Sequence, residues 1–358
     1  MRITRTVPAY YIGSGALAQL SGLLEKANGP ALAPTVFLID HYFENGSLLE
    51  RLPVGDSDLV LFIDTTDEPT TEQIDDVTAR VRESAKEIRA VVGIGGGSTL
   101  DVAKAVSNIL GNGGRAEDYQ GWDLLKVPGV YKIGIPTLSG TGAEASRTCV
   151  LMNHAKNLKL GMNSDFTVFD ALVLDPDLTQ TVPRDQYFYT AMDTYIHCIE
   201  SLKGNFRNAF ADACSDQALT LCREVFGLGD MQSVANREKM MVASLLGGTA
   251  IGNSYVGVVH PLSAGLSMVL GMRHCIANCV VMNVMDEFYP QETQEFRNMI
   301  SQNRIELPRG VCEGLDDTQM QRLYAASIIH EKPLGNALGT DFKSILTFEK
   351  VTGLFQRM

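Results

Sequence analysis

The chain has 358 residues, enough for two domains with substantial cores. Its composition, 45% apolar and 20% charged, is that of an ordinary globular protein, and its formal net charge of −12 argues against nucleic acid or an anionic membrane as the main partner. No apolar run approaches the roughly 20 residues of a membrane span. The opening MRITRTVPAYYIG lacks a leader's apolar stretch, and the seven scattered cysteines contain no CxxC pair, so a reducing, cytoplasmic setting is expected.

From the N-terminus to about residue 178, short β-rich runs alternate with helical stretches. The runs are TVFLID (35–40), LVLFID (59–64), AVVGIGGG (90–97), YKIGIPT (131–137) and ALVLD (171–175). Such alternation predicts βαβ units and a mostly parallel sheet covered on both faces. After DPDLTQTVPRD the β signal disappears, and apolar residues recur at helical spacing over 187–203, 208–226, 236–252 and 317–329. The expected organisation is an α/β domain over 1–178 and an all-helical domain over 179–358.

Within the first half, VVGIGGGSTLDVAKAVSNIL (91–110) reads as a strand, a glycine turn and a helix beginning near Ser98 or Thr99. Glycines let backbone approach a phosphate, and the free N–H groups of a helix start attract an anion. Ser98 is placed to cap that helix, with Asp101 at the capping-box spacing. A glycine triplet alone is weak, since tight strand-to-helix turns need glycine on steric grounds, and the spacing is not GxGxxG. A second loop, GIPTLSGTGAEAS (134–146), also follows a strand and offers Thr137, Ser139 and Thr141. Two such loops at strand ends favour a nucleotide, because open α/β sheets bind ligands along that edge. Asp40 ends a third strand, where a carboxylate accepts from a ribose 2′-OH and disfavours a 2′-phosphate, pointing to NAD with NADP as the alternative. Its other reading is a strand end or a cap for HYFENGS.

Three of the six histidines and one aspartate have spacings that suit one metal ion: Asp193 and His197 in TAMDTYIHCIES, His260 in VGVVHPLSAG and His274 in GMRHCIAN. Asp193 and His197, four apart, leave one face of a helix. Imidazoles with a carboxylate suit Fe(II) or Zn(II) better than Mg or Ca. An i,i+4 Asp/His pair by itself is more often a surface hydrogen bond; the upstream phosphate cradle lifts the metal reading. His154 and His330 read as structural.

GGGSTLDVAK, PTLSGTGAE, DPDLT, AMDTYIHCIES, VVHPLSAG and HCIAN resemble, in that order, the motifs of the iron-containing (group III) alcohol dehydrogenases, which share a fold with dehydroquinate synthase and glycerol dehydrogenase. The resemblance runs from about residue 7 to 340. It implies a Rossmann-like NAD domain followed by a helical metal domain, in a homodimer. It implies that Gly96, Gly97 and Ser98 hold the pyrophosphate, that Asp101 and Lys104 support their loop, and that Thr137, Thr141 and Lys159 line the nucleotide cleft. Asp193, His197, His260 and His274 are implied to be the metal ligands and catalytic set, the metal acting as a Lewis acid while the nicotinamide accepts hydride.

Many members carry HxxxHPLG. Matching His260 by its Pro-Leu would put Val256 at the first histidine; matching by the fourteen-residue spacing to His274 completes an Asp-His-His-His set and puts Ala264 at the second. The proton then leaves through water or the nicotinamide ribose. The segment 260–279 most resembles the branch that oxidises the C8 hydroxyl of 3-deoxy-D-manno-octulosonate (Kdo), whose aldehyde feeds an aminotransferase making 8-amino-8-deoxy-Kdo for lipopolysaccharide. For an acidic sugar, Arg147, Lys203, Arg207 and Arg273 are candidate partners. The alternatives are an iron-dependent dehydrogenase of small alcohols or diols, and a lyase of the dehydroquinate-synthase type. The lyase's metal site resembles a Glu with two histidines, so the set here argues against it.

Overall fold

Runs such as TVFLID and AVVGIG carry apolar side chains on both faces of a strand, so they are stable only where helices cover both sides. The computed structural model describes residues 4–27, 29–227 and 230–358; the first three residues of the opening segment lie outside these. The chain divides into two compact units, Met1–Thr181 and Val182–Met358.

In the first unit the order is β1 (Ala9–Ile12), α1 (Leu20–Glu25), β2 (Thr35–Asp40), β3 (Leu59–Ile63), α2 (Thr71–Ser84), β4 (Ala90–Gly95), α3 (Gly97–Asn112), β5 (Gly121–Trp122), β6 (Lys132–Pro136), β7 (Thr148–Asn153), β8 (Leu158–Asn163) and β9 (Ala171–Leu174). Six strands form a parallel sheet in the order β1-β9-β6-β4-β2-β3. The chain leaves β2 for β3 at one edge and returns to β4 before moving on to β6 and β9, so the direction of winding reverses between β2 and β4. Such a reversal opens a crevice at the carboxyl ends of the two strands, where open α/β sheets take ligands. Phe37, Val92, Ile94, Ile133 and Ile135 form the buried core of this sheet with Leu20 and Leu23 of α1. On the sheet's other face α3 lies close to β4; a Cβ on Gly93 would come within 2.6 Å of Ala103 Cβ.

A second sheet, β5-β8-β7, was not legible from the sequence. Its β7–β8 hairpin is antiparallel and turns at Asn157 with φ of 48°.

The second unit comprises α4 (Arg184–Lys203), α5 (Ala209–Gly227), α6 (Val234–Asn253), α7 (Val259–Leu270), α8 (His274–Met282), α9 (Pro290–Asn303), α10 (Asp317–Ile328), α11 (Glu331–Leu338), α12 (Phe342–Ile345) and α13 (Phe348–Phe355). No strand occurs among its described residues. Together the two units have the dehydroquinate synthase-like fold, a parallel-sheet domain followed by a helical one. No helix among the described residues is long and apolar enough to cross a membrane.

The helix α4 starts after Pro183, contains neither glycine nor proline, and stops at Gly204. It is buried nearly all round, from Tyr187 through Ser201, and packs against α5, α6 and α8. A polar side chain on such a helix must find partners inside the protein.

Candidate cofactor cradle and metal centre

At the sheet's crevice, the two loops singled out in the sequence meet. The Thr137 N–H donates to Gly95 O at 2.9 Å, tying the end of β6 to the end of β4. A Cβ on Gly96 would lie 2.7 Å from Leu138 Cδ1, and one on Gly97 would lie 3.0 Å from Thr141 Oγ1 and Cγ2. A side chain at either position would have to push Leu138 or Thr141 of the second loop aside. Ser98 does not cap the helix as expected. The helix α3 begins earlier, at Gly97; its N-cap is Gly96, and no side chain bonds back to the first turn. With no side chain over them, the leading N–H groups of α3 are left for an anion.

Asp101 and Lys104 act one turn deeper. Lys104 is fully buried and donates to Thr148 O at 2.7 Å and Ser146 O at 3.2 Å, with Asp101 Oδ1 at 3.8 Å. Asp101 Oδ2 accepts from Val150 N at 2.9 Å. The pair thereby pins α3 to β7. Burial pushes the Asp101 carboxyl up to about 6 against the pull of Lys104, and burial lowers the Lys104 ammonium. Lys159 forms an ion pair with Glu68 at 2.5 Å. Asp40 accepts from Tyr42 N at 3.0 Å and from Thr65 Oγ1 at 3.1 Å, so it caps the turn after β2 as well as standing at the crevice.

In the second unit, α4 carries Asp193 and His197 on one face, and the N-terminal turns of α7 and α8 bring His260 and His274 to them. One ligand atom from each of Asp193, His260 and His274 lies within 4.8 Å of the others. The Nε2 atoms of His260, His197 and His274 stand 3.2, 3.5 and 3.7 Å from Asp193 oxygens. His197 stacks on His260, with ring centroids 4.6 Å apart and planes at 14°. His154 and His330 lie elsewhere, in the β7–β8 turn and at the N-cap of α11.

Glu200 and Asn278 were not foreseen. Glu200, seven residues after Asp193 on α4, is 1% exposed. One of its oxygens accepts from Val259 N at 2.6 Å and supplies the cap that α7 lacks from its own N-cap residue. Its other oxygen accepts from His260 Nδ1 in a very short bond. The signal was present as Asp-x3-His-x2-Glu on one helical face. Asn278, one turn after His274 on α8, donates from Nδ2 to Asp193 Oδ1 at 2.6 Å.

Burial alone would raise the Asp193 carboxyl, but the rings of His197, His274 and His260 outweigh it and hold it well below the usual range. Burial pushes His197 down to about 4, which leaves it neutral with a lone pair to give. Burial would also lower His260, yet Glu200 and Asp193 raise it to about 9. Among these groups two buried carboxylates face one charged imidazole, leaving a negative charge uncompensated. A divalent cation that displaced the His260 Nε2 proton would bring the cluster to neutrality. The donor set of three imidazoles and one carboxylate fits such an ion.

The chain matches the model of the iron-containing alcohol dehydrogenases over residues 8–176 and the C-terminal model of the same family over residues 187–309. A sulfoacetaldehyde reductase of Bilophila wadsworthia is 32% identical over 64% of this chain and 59% of its own length. An NAD-dependent methanol dehydrogenase of Bacillus methanolicus is 28% identical over 77% of this chain and 72% of its own. The solved structure of a 1,3-propanediol oxidoreductase superposes with a TM-score of 0.85 over 99% of both chains at 19% identity. That of a sulfoacetaldehyde reductase from Bifidobacterium kashiwanohense with NAD+ gives 0.81 over 99% and 98% at 20% identity. The two family-model matches make the chain an alcohol oxidoreductase by class. The chain belongs to the iron-containing alcohol dehydrogenase family.

Proposed function

We propose that the protein oxidises a primary hydroxyl to an aldehyde with NAD, using a cation held by Asp193, His197, His260 and His274. The convergence of Asp193, His260 and His274 carries the reading, with His197 Nε2 3.5 Å from Asp193. NAD+, held by the first unit, would supply hydride acceptance, so that alcohol and NAD+ would give aldehyde, NADH and H+. The cation, Fe(II) or Zn(II), supplies Lewis acidity toward the substrate oxygen. The chain's own work is to hold Asp193 ionised, to keep His197 neutral, and to aim His260 through Glu200. Gly96, Gly97 and Ser98 are proposed to receive the pyrophosphate of NAD, with Thr137, Thr141 and Lys159 beside the nucleotide and Asp40 at the ribose.

The lyase reading needs a glutamate at the metal. Glu200 is engaged on the far, Nδ1 side of His260 and with Val259 N, away from the converging Nε2 atoms.

For the substrate we propose the C8 hydroxyl of Kdo, in a soluble cytoplasmic homodimer whose product passes to an aminotransferase. The likeness of segment 260–279 to that branch supports this, together with Ala264, which leaves room where many members carry histidine. A relative named for sulfoacetaldehyde indicates that an anionic tail is compatible with the family. Arg273, exposed and directly preceding His274 at the metal centre, is the proposed partner of the substrate carboxylate.

The test is NADH formation by the Fe(II)- or Zn(II)-loaded protein with Kdo, propanediol and butanol, the Kdo product being trapped with an aminotransferase and identified by mass. Turnover of the small alcohols without Kdo would replace the sugar reading by the generic one. Absence of bound metal in the active protein would sink the site.

A further inference from the structure

We infer that Asn278 is a positioning residue of the metal centre, a neutral place-holder that keeps the ligand atoms at coordination spacing when no cation is bound. The inference rests on the metal reading above. Asn278 is completely buried on α8. Its Nδ2 lies 2.6 Å from Asp193 Oδ1, 3.2 Å from His274 Nε2 and 3.3 Å from His260 Nε2. These are atoms of the same three residues that can converge on an ion.

An amide nitrogen has two hydrogens. One goes to Asp193 Oδ1, and the other faces the Nε2 atoms of His274 and His260. The amide thus occupies the middle of the ligand set as a donor, which is the electrostatic role of a cation in weaker form.

The other end of the amide is held away from solvent as well. Asn278 Oδ1 is buried and has no hydrogen-bond partner among the described residues. A buried carbonyl without a donor is costly, and native structures retain few of them without a functional reason. Once a cation takes the lone pairs of His260 and His274, Nδ2 can keep only its bond to Asp193. The amide then orients the carboxylate ligand, as outer partners of metal sites do.

Replacing such a partner costs about 10- to 100-fold in metal affinity. Zn(II) titration calorimetry on metal-free wild type, Asn278→Ala and Asn278→Asp, with thermal melts with and without Zn(II), reads this directly. Asn278→Ala should bind Zn(II) about 10- to 100-fold more weakly and show a smaller Zn(II)-induced rise in melting temperature. Asn278→Asp replaces the donor by a second carboxylate beside Asp193. It should melt lower than wild type without metal and show a larger rise with it. Opposite changes in the two variants are the signature, since a general loosening of α8 would shrink both. Wild-type affinity in Asn278→Ala, or changes of one sign in both variants, would overturn the place-holder role while leaving the metal site standing. Failure of wild type itself to bind Zn(II) or Fe(II) would overturn both.

Discussion

Replacing Glu200 by glutamine should cripple the metal centre without touching a ligand. Glu200 Oε2 accepts from His260 Nδ1, and Oε1 accepts from Val259 N. Glutamine keeps an acceptor for Val259 but turns an NH2 group toward His260. Nδ1 must then accept, so the neutral ring carries its proton on Nε2 and presents a donor to the metal position instead of a lone pair. The loss is the charge-assisted bond, worth about 1.5–3 kcal/mol. That magnitude agrees with the 10- to 100-fold affinity loss usual for such partners, about 1.4–2.8 kcal/mol. Zn(II) titration calorimetry and NADH formation should both report it, with the circular dichroism spectrum unchanged.

Glu200→Gln should also alter the pH dependence of the metal-free protein. His260 sits at about 9, above its ordinary value of 6.5, so its stabilisation is full below pH 6.5 and is lost as pH rises through about 9. In Glu200→Gln this decline should flatten. Full metal affinity together with the wild-type pH profile would refute the orienting role of Glu200.

Two further outcomes are expected. His260→Ala and His274→Ala should each lose most bound metal by elemental analysis. His260→Ala should also melt well below wild type, because it strands the buried Glu200 carboxylate, while His274, with a side chain 32% exposed, strands nothing comparable; equal melts would count against the buried pair. Asp40→Asn keeps an acceptor for Tyr42 N while removing the charge, so use of NADP relative to NAD should rise about tenfold, or about 1.4 kcal/mol; an unchanged ratio would reduce Asp40 to a cap.

The alternation of apolar strands with helices, and its cessation after DPDLTQTVP, could be read directly because continuous apolar runs and 3.6-residue spacing are local properties of the chain. The candidate ligands were legible for the same reason: Asp193 and His197 share a helical face wherever that helix ends up. The β7–β8 hairpin was hidden because Lys159 and Asn163 break the strand pattern, and it forms in a setting where Lys104 and Asp101 tie α3 to β7. Ser98 was misread as a cap because local capping preference cannot register that Gly96 and Gly97 are pressed against Leu138 and Thr141 of a loop some forty residues on. Glu200 is marked only by its place on the helical face of Asp193 and His197, and Asn278 carries no local mark of a role. Each acquires one only when packing brings α7 and α8 against α4, since a buried carboxylate or amide takes its function from whichever donors and acceptors the tertiary structure places around it.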